Sequence, residues 1–406
     1  MRNFVLGVLN GICFNTVEAF IGGDTVLPIF LSRLTSSRFL IGLGSIFEYT
    51  SWYLPQLFVA GRIQHREKKK FLYVYMAVLR FLSIFTIAWL VLFLGSSYPS
   101  LLLFLFLTLF AVYAICGGIA GVAFMDIVAK SIDPDKRTLF WNLRRAIGGT
   151  LGAVSGIWVR RIIGNNPFPI NYAKIFFIAS GIIAAGFTFF SLISEREGKT
   201  ERKLKTRETI REGIKLWREM PLLRYLYYSR GLLAIAALSL PFYSIYVKET
   251  LSLPEKNVGY FVVLVMSAKF AGLFIWPRLP SSLILFFGSL SFAMPSVLCL
   301  SGINLLTGYS VFFFLSLGIT GITISYLNLL MEIPPEEKRV MAVGFLNTLI
   351  GPLMLFPMVG GIIADIFGYQ VLFSISLVLS LSGSFFAWKI FSMKDRTSSR
   401  FPENRR

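Results

Sequence analysis

Long apolar stretches separated by short polar links run along almost the whole chain. They are roughly 17 to 28 residues long, and an α-helix of about 20 residues crosses a hydrocarbon core of about 30 Å. The bounds that we predict for them are residues 4–31, 39–59, 71–94, 101–128, 147–163, 175–193, 222–247, 258–276, 283–300, 309–331, 340–366 and 371–391. The pattern therefore predicts an all-α polytopic membrane protein with twelve transmembrane helices.

Helix breakers interrupt two of these spans. The first span contains Gly22-Gly23 and then Pro28, and we expect a break at each place. The seventh span contains Pro241, where we expect a kink. The polar sequence at residues 131–145, before the glycine-rich fifth span, is predicted to be a loop.

A charged stretch near the middle of the chain, Glu195–Arg224, divides the spans into two sets of six. It contains ten Lys and Arg residues and six Glu residues. Apolar residues recur in it at helical spacing, which predicts an amphipathic helix at Thr206–Met220 lying along the cytoplasmic membrane surface. The domain organisation that we predict is a six-helix bundle at 1–194, a linker at 195–221, a second six-helix bundle at 222–391 and a cytoplasmic tail at 392–406.

The two halves of the chain resemble each other at an offset of about 200 residues. Ile132–Arg137 follows the fourth span, and the similar Ile333–Arg339 follows the tenth. Tyr172–Phe176 and Tyr369–Phe373 take matching places at the start of the sixth and twelfth spans. Two parallel repeats of this kind predict pseudo-symmetric bundles, an arrangement that suits alternating access to a site near the midplane.

The composition supports a membrane protein and excludes an ordinary soluble one. Hydrophobic residues make up 55% of the 406 residues and charged residues only 15%, against the usual quarter. Of the 40 Lys and Arg residues, about 30 fall in the N-terminal segment, alternate links and the C-terminal tail. This asymmetry predicts a plasma-membrane protein with both termini in the cytoplasm. The basic links, rather than a nucleic-acid partner, account for the net charge of +19, and they are expected to contact anionic lipid headgroups.

Neither a cofactor nor a nucleotide is predicted. The cysteines, Cys13, Cys116 and Cys299, lie far apart within apolar spans, so no disulfide or metal framework is indicated. Gly198-Lys199-Thr200 matches the last part of a phosphate-binding loop. That loop also needs a glycine five positions before Gly198, and Ile193 stands there. We therefore predict that the protein is not an enzyme and does not use ATP.

The candidate site residues are polar or charged side chains within the spans, where a charge costs about 2.5–3.5 kcal/mol at a helix centre. They are Asn15, Glu18, Asp24, Glu48, Arg80, Arg230 and Lys269. Glu18 is the predicted titrating group, because a partly dehydrated carboxyl group can exchange protons near neutral pH. Asn10 and Asn15 share one helix face with Glu18, which indicates a helix that lines a cavity.

Each candidate also has a structural interpretation, and the sequence leaves both open. Glu18 would otherwise form an ion pair with Arg80 or Arg230. Glu48 is either a second coupling site or an ion-pair partner, and Asp24 either takes part in coupling or caps the broken first helix. The two remaining cations, Arg230 and Lys269, bind an anionic substrate group or pair with a carboxylate within the bundle.

The turn after the second span carries the most specific motif in the chain, Gly61-Arg-Ile-Gln-His65-Arg66-Glu-Lys68-Lys69-Lys70. It resembles the Gly-x-x-x-Asp-Arg-x-Gly-Arg/Lys-Arg/Lys pattern of major facilitator superfamily transporters of the twelve-helix type, with His65 and Lys68 in place of Asp and Gly. In that family the Asp belongs to a cytoplasmic charge network that latches the outward-open state. The resemblance therefore implies a cytoplasmic gating loop that contains Gly61, His65, Arg66, Lys69 and Lys70.

The resemblance, the internal repeat and the intramembrane carboxylates together predict a secondary active transporter. We expect it to move a small organic solute by alternating access, as a monomer, with protons as the coupling ion. Sodium is an alternative ion, because Asp24 lies at the break in the first helix. A membrane receptor or scaffold that retains the transporter fold is the alternative function.

Overall fold

The computed structural model describes residues 1–50, 68–196, 206–335 and 338–400, and every regular element in these ranges is a helix. The first half contains α1 Arg2–Ile21, α2 Val26–Leu31, α3 Arg38–Thr50, α4 Lys70–Leu94, α5 Pro99–Ser131, α6 Pro134–Asn165 and α7 Ile170–Ser191. The linker forms α8, Thr206–Glu219. The second half contains α9 Pro221–Ala236, α10 Phe242–Thr250, α11 Val258–Ile275, α12 Ser281–Leu300, α13 Leu305–Glu332, α14 Arg339–Ile350 and α15 Phe356–Arg400.

Length and hydropathy confirm a membrane-spanning helical fold. In the described ranges, nine segments are long and apolar enough to cross a membrane. One of them, Met341–Lys394, is 54 residues long and bends at Gly368, where φ is 80°, so it supplies two spans. Two further helices, α3 and α6, fall outside this set, because α3 is described over 13 residues and arginines lower the hydropathy of α6. The whole arrangement is consistent with twelve spans.

Proline and glycine set the breaks, and two sequence predictions need correction. The first span does break at Gly22-Gly23, but Pro28 lies inside α2, where a proline in the first turn of a helix is tolerated. The seventh span bends as expected, with a 3₁₀ turn at Ala237–Ser239 just before Pro241. The predicted loop at 131–145 is wrong beyond residue 133, because Pro134 starts α6 as its first residue.

Each half packs largely on itself, and two helix pairs make most of the contacts between the halves. Within the first half α1 packs on α6 and α7, and α4 packs on α5 and α7; within the second, α12 packs on α13 and α15. The pairs α6–α11 and α3–α15 cross from one half to the other. We call the end of the molecule with residues 1–3 and 194–196 the terminal end, and the end with the turns 32–37 and 251–257 the far end.

In the linker, Thr206–Glu219 forms helix α8, and its contacts show where its apolar residues lie. Gly213 and Leu216 are buried, and Gly213 lies so close to Phe345 of α14 that a Cβ atom there would come within 2.5 Å of the ring. Trp217 packs edge-on against Tyr227 and Tyr228 at the start of α9. The helix is therefore attached to the second half, and its orientation to a membrane stays a prediction.

Replacing Gly213 by leucine is expected to detach α8 from α14, because the new side chain overlaps the Phe345 ring. Overpacking of this kind costs about 1–3 kcal/mol, so we expect faster proteolysis within 195–221 and a lower Tm. The matched control is Gly344→Leu, since a Cβ atom at Gly344 meets nothing within 4 Å. Equal proteolysis rates for the two variants would show that α8 is not held by this contact.

Candidate functional site

A cavity of about 760 Å³ lies in the first half and is walled by α1, α4, α5 and α6, with Leu327 of α13 reaching it from the second half. Its polar lining consists of Asn10, Asn15, Glu18, Arg80, Thr138, Asn142, Arg144 and Arg145. Its aromatic lining consists of Phe14, Tyr73, Tyr113, Phe124 and Trp141. Thr138 lies in the second turn of α6 and is exposed, so the cavity extends to the terminal end. The size suits an organic molecule rather than a bare ion.

Glu18 of α1 forms an ion pair with Lys269 of α11, so it joins the two halves of the chain. The Lys269 Nζ donates to Glu18 Oε2 at 2.6 Å, and the two side chains are 33% and 37% exposed. Partial exposure lowers the net strength of the pair, because solvent screens the two charges. The ion-pair partners predicted from the sequence, Arg80 and Arg230, are wrong, because both guanidinium groups lie against aromatic rings elsewhere.

Asp24 adds a second carboxylate near the same lysine. It is 5% exposed, it lies in the break between α1 and α2, and it interacts electrostatically with Lys269 and Glu18. The predicted capping role is not what the structure shows, because Thr25 is the N-cap residue of α2 and no side chain caps it. Asp24 Oδ1 instead accepts a hydrogen bond from the Thr25 hydroxyl at 3.2 Å. Lys269 therefore lies in the field of two acidic groups from the broken first span.

Arg80 lines the cavity from α4 and is held by aromatic rings rather than by carboxylates. Its guanidinium carbon lies 4.3 Å from the ring centre of Tyr113 and 5.2 Å from that of Phe14. Gly117 of α5 makes room for it, since a Cβ atom there would lie 3.3 Å from the guanidinium carbon. The Arg80 Nε is shielded from solvent and has no hydrogen-bond partner among the described atoms. Stacking on rings holds the charge but leaves its N–H donors free.

Arg144 and Arg145 line the same cavity, and the sequence analysis missed both. It placed them in a loop, whereas α6 begins at Pro134 and carries them about three turns into the helix. The Pro134 start signal, an Asp-Pro pair before a helix, was the feature that could have revealed them. Charged residues that far inside a helical span qualify as functional candidates by the same criterion as Glu18.

Arg144 is fixed against α1, on the face predicted to be polar. Its Nη1 donates to the carbonyl oxygen of Gly7 and, at 3.3 Å, to Asn10 Oδ1. Gly11 is essential for this contact, because a Cβ atom there would lie 2.2 Å from the Arg144 Nε. Asn15 donates to the Gly11 carbonyl at 2.7 Å, so Asn15 lines the cavity with its amide engaged. The face of α1 that carries Glu18 therefore also holds the Arg144 guanidinium group in place.

The remaining predicted site residues lie outside this cavity or outside the described residues. Arg230 lines a separate pocket of about 80 Å³ in the second half, with its guanidinium 5.5 Å from the Tyr326 ring centre. Glu48 belongs to α3, but its side chain lies outside the described residues. In the predicted gating loop, Gly61, His65 and Arg66 also lie outside the described residues.

Lys69 and Lys70, the described part of the gating loop, connect α4 to the start of the linker. Their backbone N–H groups donate to the Glu195 carboxylate at 2.9–3.0 Å. The Lys69 ammonium group lies 2.8 Å from Asp126 of α5, which also pairs with Lys130 at 2.6 Å. All of these residues except Glu195 belong to the first half. The contacts of Glu195 therefore hold the start of the linker against the first half.

Polar contacts close the far end between the halves. Arg33 pairs with Glu255 at 2.5 Å, and the hydroxyl of Tyr172 donates to the same carboxylate at 2.8 Å. The hydrogen bond with Glu255 raises the pKa of the Arg33 guanidinium. Asp365 of α15 accepts from the backbone N–H groups of Arg38 and Phe39, both at 3.3 Å, and so caps α3 from the opposite half. Side chains and backbone groups of the two halves therefore meet directly at the far end.

Glycines bring the backbones of α6 and α11, one from each half, into contact on the far-end side of the cavity. A Cβ atom on Gly259 of α11 would lie 2.4 Å from the Gly156 carbonyl oxygen and 2.5 Å from the Arg160 backbone nitrogen. Met266 of α11 packs on Gly152 of α6 and is 3% exposed. The molecule is therefore closed between the cavity and the far end.

Nothing in the described ranges is arranged as a metal centre, since no group of three His, Cys, Asp or Glu side chains is placed to hold an ion. Cys13, Cys116 and Cys299 are free thiols, and the last two are buried. The chemistry of the site is thus that of one intramembrane ion pair, a buried carboxylate and three arginines around an organic-sized cavity.

Comparisons with known proteins identify the architecture. A family profile described as "Major Facilitator Superfamily" matches residues 11–353. None of the curated protein sequences matches the chain. Among solved structures, the POT family transporter PepTSo superposes with a TM-score of 0.72 at 10% identity, covering 98% of this chain and 99% of that one. The nucleoside transporter NupG gives 0.68 at 11% identity over 97% and 98%, and a D-xylose-proton symporter gives 0.66 at 14% over 96% and 97%.

Proposed function

Because this chain belongs to the Major Facilitator Superfamily, we propose that it is a secondary active transporter that moves a small organic solute by alternating access, with protons as the coupling ion. The observation that carries the proposal is the Glu18–Lys269 ion pair, which lies beside the cavity and bridges the two halves. An ion pair that joins the halves weakens when either charge is lost, so it can link a change of charge to a change of contact between the halves.

Alternating access is supported by the asymmetry between the two ends. The far end is closed by the Arg33–Glu255 and Arg38–Asp365 contacts and by the glycine contact of α6 with α11, while the cavity extends to the terminal end. Opening the far end requires these polar and glycine contacts to separate, together with the packing of α2 on α10 and α11. Both termini are proposed to be cytoplasmic in a plasma membrane, so the described arrangement would face inward, with α8 along the cytoplasmic surface.

Proton coupling is supported by the chemistry around Lys269. With Glu18 ionised, Lys269 and Glu18 attract each other as opposite charges; with Glu18 protonated, this charge–charge attraction is lost. One proton moving through 100 mV supplies about 2.3 kcal/mol, or roughly a fifty-fold solute gradient at about 1.4 kcal/mol per tenfold. A single titrating carboxylate is therefore sufficient for useful accumulation.

Cysteine labelling from the two sides of a membrane tests alternating access. In a background without the native cysteines, Thr138→Cys at the cavity mouth should react with an impermeant maleimide from the terminal-end side. Met266→Cys, buried between the halves, should react only from the far-end side and only while that end is open. Conditions that raise one labelling rate should lower the other.

The matched control is Ser289→Cys, because Ser289 is fully buried within the second half and should stay unreactive from both sides. Unchanging reactivity of both the Thr138→Cys and the Met266→Cys variants under pH and voltage jumps would favour a receptor or scaffold that retains the fold, and would contradict transport.

A further inference from the structure

The cavity wall carries more positive than negative charge. Among the described residues that line it, Arg80, Arg144 and Arg145 are cationic and Glu18 is the sole acidic one. Glu18 is already neutralised by Lys269 from the other half. The charge that faces the cavity is therefore that of the arginines, inside a protein region where uncompensated charge is costly and marks function.

Two of the three arginines keep their donors free. Arg144 is bound to the Gly7 carbonyl and to Asn10. Within the described part of the chain, neither Arg80 nor Arg145 takes part in a hydrogen bond or an ion pair, and the Arg80 Nε is enclosed without a partner. A guanidinium group presents five N–H donors in a planar fork that fits a carboxylate or a phosphate. The N–H donors of Arg80 and Arg145 are therefore available to the oxygen atoms of an anion.

Aromatic rings line the same cavity and surround the arginines, with Arg80 against Phe14 and Tyr113 and Arg144 against Phe124 and Trp141. These four rings face the cavity, and the volume of about 760 Å³ is that of an organic ligand. Rings of this kind bury the flat apolar body of a ligand while its charged group faces the arginines. An inorganic anion would leave most of this surface without a contact.

We propose that the cavity binds a soluble organic anion, with its carboxylate or phosphate on Arg80 and Arg145 and its apolar body against the aromatic wall. The inference rests on the proposed function in taking this cavity as the transport site. It also gives the Glu18–Lys269 pair a role in recognition, because a negative charge entering the cavity competes with Glu18 for the nearby cations.

A set of probes with one ring body and four head groups tests this inference. Naphthaleneacetate and naphthyl phosphate are the anions, naphthaleneacetamide is the neutral analogue, and naphthylmethylamine is the cation. Affinities come from thermal shifts of the purified full chain in a neutral detergent without anionic lipid. We expect both anions, or the one whose head group the site prefers, to bind at least about tenfold more tightly than the amide, and the amine to bind least.

Variants of the arginines assign the binding to the cavity. Arg80→Gln and Arg145→Gln should each weaken anion binding at least about tenfold, and Arg80→Lys should restore part of it by keeping the charge without the fork. The matched control is Arg161→Gln, because Arg161 is exposed and stacks on Trp158, 5.7 Å away, outside the cavity lining. Amide binding that equals anion binding, or anion binding unchanged in both Arg→Gln variants, would overturn the inference.

Flux measurements separate this inference from the proposed function. Arginine-dependent binding of an anion without its movement across proteoliposome membranes would contradict transport and leave the anion site standing. Movement of the amide at the same rate as the anions, unaffected by Arg80→Gln, would support transport and contradict the anion site.

Discussion

Replacing Glu18 by glutamine is expected to abolish proton-driven accumulation of solute in proteoliposomes while leaving solute exchange intact. The glutamine keeps the size of the side chain but cannot carry a proton on and off, so the Lys269 pair no longer responds to pH. With a membrane potential of 100 mV, accumulation should fall from roughly fifty-fold to no gradient. Uptake against a gradient and counterflow of labelled solute, measured on the same vesicles, distinguish lost coupling from lost binding.

Three companion variants make the Glu18 result specific. Glu18→Asp keeps a titrating carboxyl group and should retain part of the coupling. Glu332→Gln removes a carboxylate from another Glu–Lys pair with the same 2.6 Å separation, between Glu332 and Lys394, and should leave coupling unchanged. Glu18→Gln with Lys269→Gln removes both charges of the ion pair and should recover any Tm lost in the single variant. Full accumulation by a folded Glu18→Gln protein would remove Glu18 from the coupling mechanism.

Replacing Gly259 by valine is expected to prevent the far end from closing and to reduce transport more than about tenfold. The added Cβ atom would meet the Gly156 carbonyl oxygen at 2.4 Å, and both contacting partners are helix backbone, which cannot rotate away as a side chain would. A penalty of about 3 kcal/mol on the arrangement with the far end closed lowers the ratio of closed to open molecules by about 150-fold. The protein should then stay open at the far end.

Labelling and a matched substitution test this expectation. With Gly259→Val added, the thiol of Met266→Cys should react faster from the far-end side than it does without Gly259→Val. The thiol of Thr138→Cys should react more slowly from the terminal-end side in the same comparison. The control is Gly181→Val in α7, an exposed position where a Cβ atom meets nothing within 4 Å. Wild-type transport by a folded Gly259→Val protein would mean that the α6–α11 contact does not have to form in the transport cycle.

Several features of the fold were predictable from the sequence, because they depend on properties of neighbouring residues. Apolar length identified the membrane spans, Gly22-Gly23 and Pro241 marked the broken helices, and helical spacing in the linker identified α8. The error at residues 131–145 is of the same local kind. Polar composition favoured a loop, whereas Pro134 at a helix start and packing of α6 against α1 made the segment helical.

The sequence by itself determined that the chain is a helical membrane protein of two similar halves, and it singled out Glu18, Asn15, Asp24, Arg80 and Lys269 as charged or polar residues within spans. Only the tertiary structure decided which of them meet. Glu18 and Lys269 are 251 residues apart, and their contact depends on how α1 and α11 cross between the halves. Hydrophobic length is a local property that any window of sequence displays. The pairing of charges in a cavity is instead set by the packing of whole helices, and no local pattern specifies it.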